Sequence, residues 1–426
     1  MHIQTLRLKH YRGAQDLVLQ LEPHLNVFVG MNGAGKSTIL DATAILLSWL
    51  VNRIKGRSSV SGRPIDEEDI QNGTPTAELV ITCCDQEHLA SWHLAKTRKG
   101  YQSASGHSTL QQVTEMAKQY QLGLTESQGQ INLPVFAYYP VNRAVLDIPL
   151  RIKEKHQFNI LSAYEDAMTS GANFRTFFEW FREREDLENE NRKYVGTLFP
   201  PDEGLFPDPQ LEAVRLALKT FMPEFSNLTV RRNPLRMEVE KNGKRLQINQ
   251  LSDGEKCLMA MMGDMARRMA IANPLLKNPL EGQGVILIDE IDLHLHPKWQ
   301  RVVVSKLTEV FPHCQFLLST HSPHVMTHVQ PENLFLLSMS EQGLISVPVA
   351  ESYGKSVERI LEDLMGLDST RPVEVQAQLS QIFELINSGK LTQAQDLILQ
   401  VKTQIGEDPE LVKATVLVKR KELIGK

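Results

Sequence analysis

The first 140 residues contain several short segments whose polar and apolar positions are typical of strands. Residues 3–8 and 17–21 alternate between apolar and polar positions, and the turn at Gly13 predicts an antiparallel hairpin. Further strands are predicted over residues 25–29, 77–82, 91–96 and 133–139. We expect some of these strands to form an antiparallel sheet that is layered on a central core.

Helical patterns follow in the middle and at the end of the chain. The stretch 151–222 is charged and helical, with aromatic residues along one face, which favours packing against a neighbour over a base-stacking platform. Those aromatic residues are Phe174, Phe177, Phe178, Trp180 and Phe181. Short strands are predicted over residues 228–232, 236–240 and 244–248, a single helix over 297–311, and tail helices over 372–388, 391–405 and 408–424.

Two apolar segments end in groups that are capable of chemistry. Val285 to Ile288 predicts a buried parallel strand, and Asp289 and Glu290 follow it directly. A solvated Asp-Glu turn is the alternative. A second apolar strand, 314–323, ends near His321. Because the carboxyl ends of parallel strands meet at one edge of a sheet, we expect these side chains to share a site.

A phosphate-binding loop is predicted at residues 30–38, GMNGAGKST. It follows the strand 25–29 and precedes a helix from Ser37 to about Leu50, which is the context that the motif requires. Its glycines let backbone N–H groups approach phosphate oxygens, Lys36 can reach the β and γ phosphates, and the Ser37 hydroxyl can bind Mg²⁺. A chance glycine-rich turn is disfavoured by the flanking strand and helix.

Two further segments are less specific. Leu251 to Glu255, LSDGE, opens a long Met-rich helix with Ser252 as N-cap and Glu255 completing a capping box, which is a common helix start. Asn142 and Arg143 follow the strand 133–139, and either a place near the phosphates or a surface turn fits them.

Bulk properties limit the class of protein. The 426 residues carry a net charge of −5, so a DNA contact would have to come from a local patch. We expect no membrane span and no secretory signal, and the four cysteines lack metal-site spacing, which indicates a reduced, cytoplasmic protein. The predicted domains are 1–150 and 226–345 as two parts of one head, 151–225 as a helical insertion, and 346–426 as a helical interaction or oligomerisation tail.

These motifs together resemble the ATP-binding-cassette ATPase heads of the SMC and RecF type. The resemblance covers about residues 1–345 and rests on four motifs in order: GMNGAGKST (30–38), LSDGE (251–255), VILIDE (285–290) and STHSP (319–323). It implies an α/β fold, with a mostly parallel sheet around the phosphate loop, an antiparallel lobe, a helical insertion and a helical tail.

The LHLHP segment after the two acids is similar to bacterial defence ATPases, namely those of OLD nucleases and the Septu ATPase PtuA. OLD proteins carry a Toprim nuclease after the ATPase, whereas this tail has no acidic metal motif. The resemblance therefore favours the Septu type, in which a separate HNH-type nuclease, PtuB, is the partner and DNA is reached through the complex.

The resemblance also implies roles for individual residues. Lys36 would bind the β and γ phosphates of ATP, and Ser37 with Asp289 would hold Mg²⁺. Glu290 would be the general base, and His321 would touch the γ-phosphate. The remaining implied nucleotide contacts are Arg12, Asn32, Gly33, Gly35, Thr38, and, from the opposing subunit of a homo-oligomer, Ser252 and Gly254. Asp253 stands where the commoner motif has Gly, which weakens the expectation for that cross-subunit contact.

Three other functions compete with this interpretation. A RecF-like repair ATPase would bind DNA in a salt-dependent way. A scaffold would use ATP to hold an oligomer together and would hydrolyse little of it. A transporter cassette is disfavoured by the helical insertion and the LHLHP segment.

Overall fold

The computed structural model describes residues 1–56, 61–101, 107–141, 158–169, 174–193, 195, 206–341 and 343–424. Its contacts divide the chain into two units, Met1–Lys355 and Ser356–Lys426. The predicted boundaries at residues 150, 225 and 345 stay predictions. Asn142 and Arg143 lie outside the described residues.

The strands of the first unit fall into two sheets. They are β1 (His2–Tyr11), β2 (Ala14–Gln20), β3 (Leu25–Val29), β4 (Thr76–Asp85), β5 (His88–Thr97), β6 (Val135–Tyr139), β7 (Phe225–Arg232), β8 (Leu235–Lys241), β9 (Lys244–Gln247), β10 (Gly284–Ile288), β11 (Cys314–Ser319), β12 (Leu334–Ser340) and β13 (Gly343–Pro348). In the described residues the larger sheet has the order β5-β4-β1-β2-β13-β12-β3-β11-β10-β6, and the smaller has the order β7-β8-β9.

The parallel half of the larger sheet places β3 and β10 on either side of β11. Leu318 of β11 is in register with Ile288 of β10 and with Val27 of β3. The strands β12 and β6 flank this group in parallel. The P-loop, the acidic pair and His321 therefore leave the sheet at the same edge, as the sequence predicts.

The antiparallel strands β5-β4-β1-β2 join the rest of the sheet through β13, where Gly343 pairs with Ala14 and the Leu344 N–H donates to the Gly13 carbonyl (2.9 Å). A second link comes from Gln315 of β11, whose side chain accepts from the N–H of Ile3 (2.7 Å) and donates to its carbonyl (2.8 Å). The predicted hairpin and the predicted antiparallel lobe are confirmed. The expected layering of that lobe on the core is wrong, because β4 and β5 pair through β1 into the same larger sheet as the parallel strands.

The described part of the first unit contains eight α-helices. They are α1 (Lys36–Ile54), α2 (Gln111–Glu126), α3 (Phe174–Arg192), α4 (Pro209–Phe221), α5 (Asp253–Ala272), α6 (Pro297–Gln300), α7 (Val303–Val310) and α8 (Pro323–Met326). Phe177, Phe178, Trp180 and Phe181 of α3 are fully buried. This burial confirms packing as their role, whereas the side chain of Phe174 lies outside the described residues.

The pattern of residues 297–311 predicts a single helix, and this prediction is wrong. The structure has two helices there, α6 and α7, separated at Arg301 and Val302. The Gln300 side chain donates to the carbonyl of Leu295 (2.8 Å), and this contact fixes the end of α6 against the preceding loop. The Gln300 side chain also accepts from Ser322 Oγ (2.7 Å), so the last residue of α6 is bound to segments outside the helix.

The second unit is helical. Its helices are α9 (Val357–Asp363), α10 (Val373–Asn387), α11 (Leu391–Ile405) and α12 (Pro409–Ile424), and the last three confirm the predicted tail helices. They share a core that includes Leu379, Ile382, Ala394, Val401 and Val418.

In the described part of the chain, no helix is both long enough and apolar enough to cross a membrane.

Candidate functional site

The P-loop presents open backbone donors at the start of α1. Gly33 and Gly35 have φ values of +80° and +89°, which favour glycine, and a Cβ on Gly30 would come within 2.5 Å of the Leu337 carbonyl oxygen. Gly35 is the N-cap of α1 and supplies no side-chain cap, so the first amides of the helix are available to an anion. Asn32 and Gly33 are exposed on the loop.

Lys36 is buried at the centre of this loop, with only 5% of its surface exposed. Its Nζ donates to the carbonyl oxygens of Gly30 (2.9 Å) and Met31 (3.0 Å). Burial lowers the pKa of the Lys36 ammonium, and the charges of Asp289 and Glu290 act in the opposite direction. The ammonium is therefore held in place by carbonyls and lies within the field of the two carboxylates.

His321 lies beside this ammonium, with its Nδ1 3.5 Å from Lys36 Nζ. Because an ammonium can only donate, the Nδ1 accepts and the ring proton is on Nε2. Burial, followed by the positive charge of Lys36, lowers the pKa of His321. The neutral ring can then offer its Nε2–H to an anionic oxygen.

The acidic pair is held by Ser319, the last residue of β11. Asp289 is only 3% exposed, and its backbone N–H donates to the Tyr139 carbonyl (2.9 Å). Ser319 Oγ donates to Asp289 Oδ1 and accepts from the backbone N–H of Glu290 (2.7 Å). Glu290 has a φ of +48°, an uncommon backbone conformation for this residue type that often occurs at functional sites.

A third carboxylate, Asp292, fixes the turn around His321. Its Oδ1 accepts from Thr320 Oγ1 (2.5 Å) and from the backbone N–H of His321 (3.4 Å). The backbone N–H of Thr320 donates to the carbonyl of Phe28 in β3 (3.1 Å). The residues that carry His321 are thus tied to the strand before the P-loop and to the segment after Glu290.

Arg12 is paired with two carboxylates. Its guanidinium contacts Asp41 of α1 (2.7 Å) and Asp69 (2.8 Å). Asp41 also accepts from the Tyr138 hydroxyl (2.7 Å). Arg12 therefore links the first hairpin to the P-loop helix, and its predicted contact with the nucleotide stays a prediction.

The LSDGE segment forms the predicted N-cap and capping box. Ser252 Oγ accepts from the Glu255 N–H (3.4 Å), and the Glu255 carboxylate accepts from the Ser252 N–H (3.0 Å). A Cβ on Gly254 would come within 2.2 Å of the His294 carbonyl oxygen, so only glycine fits there. An open groove of about 290 Å³ lies alongside, lined by Ser252, Gly254, Glu255, His294, Leu295, His296 and Trp299.

The donor set around Asp289 fits Mg²⁺ with a nucleotide. Ser37 is exposed in the first turn of α1, and Thr38 beside it is partly buried. Among the described residues, no group of three or more His, Cys, Asp or Glu side chains could hold a metal ion. Magnesium characteristically takes one or two protein oxygens and completes its shell with phosphates and waters, which is what Ser37 and Asp289 would require.

A comparison with protein families settles the ancestry of this arrangement. The model of the RecF/RecN/SMC N-terminal domain matches residues 2–346, which include the P-loop, the LSDGE segment, the acidic pair and His321. The chain belongs to the RecF/RecN/SMC family. The predicted resemblance to SMC and RecF heads is thereby confirmed.

Two relatives that align with most of this chain are both named as probable ATPases, and a third aligns with a shorter segment. The retron Vc95 probable ATPase of Vibrio cholerae is 30% identical over 413 residues, covering 87% of this chain and 80% of that protein. The retron Ec83 probable ATPase of Escherichia coli is 30% identical over 425 residues, covering 85% and 78%. The Septu protein PtuA of Bacillus thuringiensis is 40% identical over 101 residues, covering 22% and 26%. The chain is thus an ATPase of the SMC/RecF type.

Reasoning from the sequence missed several residues that shape this site. Ser319 bridges Asp289 and Glu290, Thr320 binds Asp292, and Asp41 binds Arg12. Ser319 and Thr320 could have been found, because they end a strand adjacent to the acidic one. Asp41 gave no signal in the sequence, since it is an ordinary polar residue on an apolar helix.

Proposed function

We propose that this chain binds and hydrolyses ATP with Mg²⁺ as the ATPase subunit of a bacterial anti-phage defence complex. The observation that carries the ATPase part is the arrangement at one sheet edge, where Lys36 lies 3.5 Å from His321 and Ser319 ties Asp289 to Glu290. Buried cations and carboxylates at the carboxyl ends of parallel strands are suited to phosphoryl transfer.

Each side chain has a defined task in this proposal. Lys36 and the P-loop amides bind the β and γ phosphates, and Ser37 with Asp289 holds Mg²⁺, which would neutralise the charge that develops on the phosphates. Glu290 accepts a proton from the attacking water. The water oxygen forms a bond to the γ-phosphorus while the bond between that phosphorus and the β,γ-bridging oxygen breaks, which releases ADP. The Nε2–H of His321 donates to a γ-phosphate oxygen.

The proposal also requires a second copy of the chain. Ser252 and Gly254 contact their own capping box and the loop at His294, and their described contacts do not reach the P-loop of the same chain. We assign them to the ATP of an opposing copy, so that hydrolysis needs a homodimer. Higher oligomers could be built from such dimers.

The defence role rests on the relatives. Two that cover most of the chain are named as retron ATPases, and a shorter segment matches Septu PtuA at 40% identity. The tail carries no metal cluster in its described residues that would supply a nuclease. We therefore place nuclease activity on a separate HNH-type subunit, PtuB-like, through which the complex acts on DNA.

The test uses Glu290→Gln and light scattering. This variant should bind ATP and form an ATP-dependent dimer, while turnover falls about a hundredfold or more because the base for water is lost. Lys298→Ala, at an exposed position of α6, is the control and should keep full turnover. Unchanged turnover in Glu290→Gln would contradict the assignment of the base.

The same measurement, repeated with the product of the neighbouring gene, separates the two candidate roles. Capture of a small nuclease in a defined complex supports the defence role. The family description names RecF, and an ATP-dependent dimer that ignores the neighbour and binds DNA in a salt-dependent way would favour a repair ATPase instead.

A further inference from the structure

Gln300, at the end of α6, holds two segments of the site together. Its Nε2 donates to the carbonyl oxygens of Leu295 (2.8 Å) and Asp292 (3.4 Å). Its Oε1 accepts from Ser322 Oγ (2.7 Å). One partly buried amide therefore connects the loop that follows the acidic pair with the turn that carries His321.

That turn is fixed on both sides of His321. Thr320 Oγ1 donates to Asp292 and accepts from the Ser322 N–H (3.0 Å), and Ser322 in turn donates to Gln300. His321 itself lies against Lys36 in the P-loop. A shift of the His321 turn must therefore move Asp292 and Gln300 with it or break these hydrogen bonds.

The other end of the loop lies against the LSDGE segment. Leu295, whose carbonyl Gln300 binds, directly follows His294. The carbonyl of His294 lies so close to Gly254 that a Cβ would approach it to 2.2 Å. Because the two backbones approach closely here, movement of His294 toward α5 would displace the start of that helix and with it Ser252.

We infer that Gln300 is a positioning residue that couples the nucleotide at the P-loop to the Ser252–Gly254 edge of the same chain. This inference rests on the proposed function, in which that edge serves the nucleotide of the opposing copy. ATP at one site then prepares the edge that completes the other site. The two sites of a dimer bind and hydrolyse ATP cooperatively, because occupation of one favours closure over the second.

Substitutions can separate the donor function of the Gln300 side-chain amide (Nε2) from its acceptor function (Oε1). Gln300→Leu removes both the donor and the acceptor. Gln300→Glu keeps the acceptor for Ser322 but cannot donate to Leu295. Ser322→Ala removes the hydroxyl that donates to Gln300 and leaves the hydrogen bonds from Gln300 to Leu295 and Asp292. Lys298→Ala, on the same short helix with an exposed side chain, is the matched control.

The experiment measures three quantities on the full chain: affinity for a fluorescent ATP analogue at a dilution where the protein is monomeric, the Hill coefficient of ATP hydrolysis, and the melting temperature. Wild type and Lys298→Ala should show a Hill coefficient approaching the limit of about 2 for two sites. Gln300→Leu should lower it to about 1 and reduce maximal turnover about tenfold, with monomer affinity unchanged within about twofold. Gln300→Glu and Ser322→Ala should each lower it partly.

Two outcomes overturn the inference. If Gln300→Leu keeps the wild-type Hill coefficient, the residue does not couple the sites. If monomer affinity, turnover and melting temperature all fall together, Gln300 has only a structural role. Both outcomes are distinct from failure of the proposed function, because that failure would appear as absent hydrolysis or absent ATP-dependent dimers in wild type.

Discussion

The ammonium of Lys36 lies 3.5 Å from Nδ1 of His321, although 285 residues separate them in the sequence. The contact is possible because β3 and β11 are adjacent parallel strands that end at one edge. It sets the tautomer of the imidazole, since only an unprotonated Nδ1 can accept from an ammonium. The contact with Lys36 therefore favours the neutral form of His321.

The pH dependence of His321 follows from this contact. Burial and the charge of Lys36 lower its pKa below the ordinary value of 6.5, so protonation occurs only on further acidification. We expect kcat/KM for ATP to be retained at pH 6.5 and to fall below it, as the imidazolium and Lys36 repel each other. His321→Gln should lose about a hundredfold in turnover and also lose this histidine-dependent fall.

A profile of kcat/KM against pH for both proteins checks this prediction. If kcat/KM of His321→Gln falls over the same acidic pH range as that of wild type, the prediction is contradicted. The same linkage affects stability, because the unfolded chain binds this proton more tightly than the folded chain. The contribution of His321 to stability should therefore decrease as the pH falls through and below 6.5.

Ser319 should determine how well Mg²⁺ is held. Ser319→Ala removes the hydroxyl that donates to Asp289 Oδ1 and accepts from the part-buried N–H of Glu290. We expect the Mg²⁺ concentration for half-maximal turnover to rise about tenfold or more, as with other residues that orient a metal ligand. The loss of stability should be about 2 kcal/mol.

A titration of turnover with Mg²⁺ measures the first effect, and thermal unfolding measures the second. Ser305→Ala, at an exposed position of α7, is the control and should change neither. If Ser319→Ala lowers stability but leaves the Mg²⁺ dependence intact, the serine supports the fold and not the metal site.

The strands that build the site could be predicted from the sequence. β3, β10 and β11 are apolar runs buried on both faces, as parallel strands require, and each ends in a polar segment. The location of the polar segments then follows, because the carboxyl ends of neighbouring parallel strands lie at the same edge of the sheet. The approach of Lys36, Asp289, Glu290 and His321 to that edge needed no information beyond this pattern.

The contacts that refine the site could not be predicted in the same way. Arg12 binds Asp41 and Asp69, which are 29 and 57 residues away, and neither spacing produces a periodic signal. The break between α6 and α7 has no glycine or proline to announce it, and it coincides with the side-chain contacts of Gln300. Both features involve hydrogen bonds between residues that lie apart in the sequence, and a pattern of apolar positions contains no information about them.

Gly254 should be intolerant of any side chain. In Gly254→Ala the new Cβ would overlap the His294 carbonyl at 2.2 Å, so the start of α5 and the loop must separate. We expect nucleotide affinity of the monomer to stay within about twofold while ATP-dependent dimers are lost, because only the edge for the opposing copy is displaced. Light scattering with and without ATP-Mg²⁺ gives the readout.

Asp253→Ala is the matched control for that variant. Asp253 is largely exposed and pairs with Lys256 at the surface (2.8 Å), so its loss should have little effect. Normal ATP-dependent dimers in Gly254→Ala would show that the contact with His294 can relax without consequence, contrary to the prediction.

The helical tail should be separable from ATP hydrolysis. Ile382 is fully buried in the core of α10, α11 and α12, so Ile382→Asp would bury an unpaired carboxylate and unfold this small unit. Gln381→Asp introduces the same charge at the adjacent exposed position and should leave the fold intact. If the tail is the interaction module that its sequence indicates, Ile382→Asp should lose capture of the nuclease subunit while turnover stays within about twofold of wild type. Copurification and ATPase assays on both variants decide the matter, since a parallel loss of turnover in Ile382→Asp alone would place the tail within the hydrolytic assembly itself.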